Sequence, residues 1–128
     1  MVVHLKYNPN YNQNAVVQLP YSKRMANRLL ILSFPNSIDL EKEQSNDDLK
    51  AMQVALQDLK EKKDIHIEEA GTVLRFILAL AASTPGYQGK ITMGKHLATR
   101  PILPLIQILQ KLGAQIELNE NEIKINGM

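Results

Sequence analysis

Three cations, Lys23, Arg24 and Arg28, fall within the first two turns of a helix that the sequence predicts over 22–33. Ser22 stands where a hydroxyl can cap it, and its apolar residues begin at Met25. The positive end of the helix dipole disfavours cations there. A bound anion resolves the conflict, because free N–H groups, dipole and basic side chains then address one negative ligand. Gly71 and Thr72 open a second predicted helix with little side chain in the way, so a small ligand can approach the backbone N–H groups. Taken alone, each feature has an ordinary reading. A lysine is mostly a solvated surface residue, an arginine on a helix finds a carboxylate on a neighbour, and Gly-Thr is a plain cap.

Residues 1–7 alternate weakly and read as a strand, 8–14 as an Asn-rich loop around Pro9, and 15–19 as a second strand. Pro20 and Tyr21 separate that strand from the first helix. Its nearly all-round apolar surface, with Met25, Leu29 and Leu32, predicts burial on more than one side. Phe34-Pro35-Asn36 ends it, and a short strand is expected over 37–41. Ser45-Asn46-Asp47-Asp48 has the form of a capping box, and Leu49, Met52, Leu56 and Leu59 mark one face of the helix it starts. A brief strand at 64–67 precedes the helix opened by Gly71, which runs apolar through Ala82. A strand at 89–93 and a loop at 94–99 follow. Pro101 is expected to start the next helix at the position where proline is favoured, with Pro104 tolerated in its first turn. Gly113 ends it, and strands at 115–118 and 122–125 form a hairpin. The unit reads as βαβαββ with a weak internal repeat, an α+β class in which helices cover one face of mixed sheets.

The 128 residues suffice for a real core. A net charge of +2, no Trp and dispersed basic residues argue against a nucleic-acid surface. No cysteine means no disulfide, thiolate nucleophile or Cys-ligated metal. His4, His66 and His96 are scattered without metal-ligand spacing, although His96 can line a site near Arg100. Glu68-Glu69 is no facing carboxylate dyad. No apolar run is long enough for a membrane span and no signal-peptide pattern is present, so a cytoplasmic location is expected.

Three stretches carry a family resemblance. Leu19-Pro20-Tyr21-Ser22-Lys23-Arg24-Met25-Ala26-Asn27-Arg28 resembles the Leu-Pro-Gly-Ser-Lys-Ser-x-x-Asn-Arg signature of EPSP synthases, with Tyr21 for the glycine and Arg24 for the second serine. Glu69-Ala70-Gly71-Thr72-Val73-Leu74-Arg75 resembles their Asn-Ala-Gly-Thr-x-x-Arg, with Glu69 for the asparagine. Thr99-Arg100-Pro101-Ile102 resembles their Glu-Arg-Pro-Ile. Three motifs in the right order and spacing are a strong signal.

The resemblance implies carboxyvinyl transfer from phosphoenolpyruvate to shikimate 3-phosphate, in chorismate and aromatic amino acid synthesis, with no metal and no organic cofactor. Lys23, Gly71 and Arg100 then fall to phosphoenolpyruvate, and Lys23, Arg24 and Arg28 to shikimate 3-phosphate, with Ser22 and Thr72 in support. Lys23 is the one candidate for a direct role in the chemistry. Arg75, on an apolar helix, reads as structural. Residues 1–19 correspond to strands that cross to a second domain in that family, and 20–128 to most of one domain holding about two βαβαββ-type repeats. The partner is therefore the missing second domain, and the chain alone is expected to show no turnover. Two other readings stay open: a non-catalytic anion-binding or interaction domain, which Tyr21, Arg24 and Glu69 favour, and a relative of UDP-N-acetylglucosamine enolpyruvyl transferase.

Overall fold

The structure is a computed structural model that describes residues 22–36, 38 and 47–128, with isolated positions 2, 4, 6, 9 and 16. Of the strands expected at 1–7, 15–19 and 37–41, only Val2, His4, Lys6, Val16 and Ile38 fall among the described residues, and none of these five is in a strand; the other positions lie outside the described residues.

Helix α1, Lys23–Ser33, starts where the sequence places it. Ser22 has the extended backbone of an N-cap residue, but its hydroxyl makes no capping bond. Ala26, Asn27 and Leu30 form the buried stripe. Met25, Leu29 and Leu32, at spacings of four and three, are exposed. The helix is therefore covered along one stripe only, and the expectation of burial on several sides does not hold. Helix α2, Asp47–Lys60, has Asp47 and Asp48 in its first turn and Lys60 in its last, the ordinary complement to the dipole. Leu49, Met52, Ala55 and Leu59 are its buried face.

Strand β1, Ile65–Ile67, follows with both isoleucines buried and His66 outward. Helix α3, Gly71–Ser83, leads to strand β2, Gln88–Met93. Residues 95–98, expected in a loop, form one helical turn, α4, Lys95–Ala98, pinned by buried Leu97. Helix α5, Leu103–Lys111, begins two residues later than expected: Ile102 is its N-cap and Pro104 occupies the first turn. Pro101 thus precedes the helix. Proline tolerates either place, since its missing N–H has no helical acceptor in the first turn. Gly113, at φ +109°, turns the chain out of α5. Strands β3, Gln115–Asn119, and β4, Glu122–Asn126, form the hairpin.

The sheet order is β1-β2-β4-β3, with β1 and β2 parallel and the remaining pairs antiparallel. The described residues therefore hold one complete βαβαββ unit, with α4 inserted before α5, in an α+β fold. Alternation puts Ile65, Ile67, Ile91, Met93, Ile116, Ile123 and Ile125 against the helices. Lys90 and Glu122 pair on the other face at 3.2 Å.

Tyr87 closes the far end of this core. It is fully buried, and its hydroxyl donates to the Lys63 carbonyl at 3.0 Å. Burial, with Asp64 and Asp58 adding negative charge, pushes its pKa from 10.0 up to about 12. The folded state therefore holds this proton more tightly than the unfolded chain. Stability from this group is full below pH 10 and is lost as pH rises through about 12. Tyr87→Phe is expected to cost about 1 kcal/mol at neutral pH and to flatten this alkaline loss. Urea unfolding at a series of pH values checks both, and a parallel alkaline decline in both proteins would contradict the assignment.

Candidate functional site

Topology brings the sequence candidates to one end of the layer. Strands β1 and β2 are parallel, so their carboxyl ends lie side by side. Gly71 follows the first of these ends, and Gly94, α4 and Arg100 follow the second. Helix α2 packs on β1 and joins it through a short connection, so α2 runs against the strand and starts at this same end. Helix α1 lies along α2 in the same direction. Their first turns are joined by Lys23 and Asp48, and their later turns line a shared cavity of about 180 Å³ with Leu30, Phe34, Leu56 and Lys60. The crevice outside the carboxyl ends of parallel strands is where open α/β sheets take ligands.

Arg100 and Gly71 are in direct juxtaposition. A β-carbon built on Gly71 would lie 3.1 Å from Arg100 Nη1 and 3.6 Å from Arg75 Nη1. Arg75 Nη2 donates to the Pro101 carbonyl at 3.3 Å. Gly71, Arg75, Leu97, Arg100 and Ile102 close around a crevice with no room for a water molecule. Arg100 therefore lies over the start of α3, and an anion reaching those amides must take the place of its guanidinium or ride on it.

Among the described residues no side chain caps the first turn of α3. Ala70, its N-cap residue, has no side-chain acceptor, and the turn contains no acid. At the start of α1 the Ser22 hydroxyl makes no capping bond, and that first turn likewise contains no acid. In water such N–H groups are solvated; beside fixed cations they form a site of positive potential. Glu69 is exposed and makes no ion pair among the described residues. It pairs with neither Arg100 nor Lys23.

The α1 cations are arranged differently from a ready-made clamp. Lys23 Nζ contacts Asp48 at 2.5 Å, with the lysine side chain 56% exposed. An exposed pair of this kind is worth under about 1 kcal/mol, so a dianion can compete for the ammonium. Arg28 Nη1 donates to the Arg24 carbonyl at 2.9 Å and meets no carboxylate among the described residues. Arg24, Ser22 and Thr72 are exposed. His96 is exposed on α4, and its carbonyl accepts the Thr99 hydroxyl at 2.7 Å. The structure thus joins Gly71 to Arg100, and Lys23 to α2.

Two features escaped the sequence reading. Arg75, a motif arginine that reads as structural, stands beside Gly71 because the two are i and i+4 on one helix face. That spacing carried the signal. His66 lies between Thr92 Oγ1 at 2.7 Å and Glu68 Oε2 at 2.8 Å. Residues 66 and 68 share a strand face by alternation, while Thr92 enters through pairing across the sheet. Among the described residues no group of three or more His, Cys, Asp or Glu side chains is placed to hold a metal ion, and no helix is long and apolar enough to cross a membrane.

An α+β layer with a βαβαββ unit, two uncapped helix beginnings and guanidinium groups at the carboxyl ends of its parallel strands defines the class. Residues 36–127 match the family described as EPSP synthase (3-phosphoshikimate 1-carboxyvinyltransferase), and the chain belongs to that family. The 3-phosphoshikimate 1-carboxyvinyltransferase of Bacteroides fragilis is 40% identical over 110 residues, which are 84% of this chain and 26% of the relative. The protein of the same name from Dehalococcoides mccartyi strain BAV1 is 39% identical over 64 residues, 50% of this chain and 15% of the relative. The chain therefore spans about a quarter of the length of the Bacteroides protein. No solved structure matches it.

Proposed function

We propose that this chain supplies part of the substrate site of a 3-phosphoshikimate 1-carboxyvinyltransferase, and that phosphoenolpyruvate and shikimate 3-phosphate meet at the carboxyl ends of β1 and β2. The enolpyruvyl group passes to the acceptor's 5-hydroxyl and phosphate leaves. The observation that carries this reading is Arg100 lying over Gly71 at the uncapped start of α3. A planar guanidinium fork suits a carboxylate or phosphate, and backbone N–H groups add directed donors. Phosphoenolpyruvate falls to Gly71, Arg100 and Lys23, and shikimate 3-phosphate to Lys23, Arg24 and Arg28, with Ser22 and Thr72 beside them.

Two polyanions repel each other. Holding them in contact needs converging cations and amides from which water is excluded. A site whose Lys23 and Arg28 stand exposed does not exclude water from them. The remaining length of the relatives is the source of a closing partner, a second domain to which residues 1–19 would cross, and 20–128 alone would bind without turning over. The chemistry as read needs no metal and no organic cofactor, and a soluble cytoplasmic enzyme is the natural setting. Combining the chain with the remainder of a family member should yield phosphate release that depends on phosphoenolpyruvate and acceptor together. Release that is absent from the combination would remove the catalytic reading.

Gly71→Ala separates binding from folding. The new methyl meets only the movable side chains of Arg100, at 3.1 Å, and Arg75, at 3.6 Å, so the fold is retained, and alanine favours the helix by up to about 1 kcal/mol. It also stands in the approach to the α3 amides. Calorimetry should show phosphoenolpyruvate affinity reduced about tenfold at unchanged or higher melting temperature. Unchanged affinity would move the ligand away from α3.

A non-catalytic anion-binding domain is the second reading. It draws on the Lys23–Asp48 pair, which occupies the proposed catalytic ammonium. Lys23→Ala that binds shikimate 3-phosphate as tightly as the unaltered chain would favour it.

A further inference from the structure

We infer that Arg75 is a positioning residue for Arg100. It acts through the backbone: its Nη2 donates to the Pro101 carbonyl and so ties the segment carrying Arg100 to the first turns of α3. This inference rests on the anion-site reading and adds a residue to it.

The segment 99–102 needs such a tie. It lies between the single turn α4 and the start of α5, outside both helices. Arg100 N donates to the Leu97 carbonyl at 3.1 Å and Thr99 N to the His96 carbonyl at 3.3 Å, so this backbone is bonded back to α4. The Arg75–Pro101 bond is the described side-chain bond from this segment to α3. Leu97 and Ile102 anchor its two flanks in the core, whereas the Arg100 and Pro101 side chains between them are exposed. Apolar anchors fix where the segment lies. The directed bond to Pro101 fixes how its peptide is turned, and hence where the Arg100 side chain sets out.

Charge makes the arrangement informative. Nη1 of Arg75 and Nη1 of Arg100 converge on the space above Gly71. Neither arginine meets a carboxylate among the described salt bridges. Like charges at this separation repel, weakly in water and more as water is displaced. The Pro101 carbonyl holds one face of Arg75 and directs its charge at the segment's backbone instead of at a carboxylate. Arg100 is left as the guanidinium free to meet a ligand.

The test is a double-mutant cycle on the full chain, with phosphoenolpyruvate titrated calorimetrically and backbone amides followed by NMR without ligand. Arg75 is exposed, so Arg75→Ala should fold normally, which its melting curve verifies. Arg75→Ala is expected to weaken phosphoenolpyruvate binding about tenfold when Arg100 is present and to have no further effect on Arg100→Ala, because it works through that residue. It is also expected to shift the amides of Arg100 and Ile102 in the free protein. Independent, additive losses would make Arg75 a direct ligand and overturn the inference. Unmoved amides at 100 and 102 would overturn it as well. If the unaltered chain fails to bind phosphoenolpyruvate while Arg75→Ala still moves those amides, the anion-site reading falls and the positioning link stands.

Discussion

Arg100→Ala should lower the affinity of this chain for phosphoenolpyruvate about a hundredfold while leaving its melting temperature within a degree or two. Arg100 is exposed, and its guanidinium lies over Gly71 without a carboxylate partner among the described residues. Its removal therefore deletes little that holds the fold. A charge-assisted, two-pronged contact to an anion contributes roughly 1.5–3 kcal/mol, one to two powers of ten in affinity. Arg100→Lys should recover only part of this, because an ammonium keeps the charge and loses the fork. Calorimetric titration at two salt concentrations checks the result: the unaltered chain should lose affinity with salt more steeply than Arg100→Ala. Equal affinities in the two proteins would leave the site without its main cation.

Gly94→Ala should have the largest effect on folding. A β-carbon at this position would lie 2.2 Å from the backbone oxygen of Glu68 and 2.7 Å from its Oε1. The first is main chain and cannot swing aside. Gly94 N donates to the Ile67 carbonyl at 3.1 Å, so the ends of β1 and β2 are fastened at this point. A methyl group must separate them, at a cost of about 3 kcal/mol, which is roughly 10 °C in melting temperature for a domain of this size. The same separation would carry the 68–71 segment away from Arg100, so ligand affinity should fall with stability. Gly71→Ala, which meets a flexible tip instead, should not destabilise. Urea unfolding of the two variants beside the unaltered chain makes the comparison. A Gly94→Ala protein as stable as its parent would mean that the strand ends are not held this closely.

Much of this arrangement was legible in the sequence, for identifiable reasons. Leu49, Met52, Leu56 and Leu59 have helical spacing, and Ile65, Ile67, Ile123 and Ile125 alternate, so α2, β1 and β4 follow from periodicity. Gly113 and the hairpin announce themselves through turn chemistry. Helix α4 did not, because a single turn held by one buried leucine has no period to detect. The start of α5 was displaced because both Pro101 and Pro104 satisfy the preference for proline near a helix start, and only packing of Ile102 into the core chooses between them. The exposure of Met25, Leu29 and Leu32 was also out of reach, since an apolar surface states a preference and not what covers it.

The site divides in the same way. Gly71, Arg100 and Lys23 were named from motifs. That Arg100 lies over Gly71 depends on β1 and β2 being parallel neighbours, a long-range fact. The pairing of Lys23 with Asp48 depends on how α1 lies on α2, which no local pattern encodes. The tie from Arg75 to Pro101 joins residues far apart in the chain and needed the fold to be seen.

In the proposed site the amides at the start of α3, with Arg100 above them, receive an anion. Titrating the isotopically labelled chain with phosphoenolpyruvate and following its amide resonances tests this most directly. Saturable shifts are expected that are largest at Gly71, Thr72 and Arg100, with smaller ones at Lys23 and Arg24. Shifts confined to other parts of the molecule, or none at about 10 mM phosphoenolpyruvate, above the usual range of substrate KM values, would contradict it.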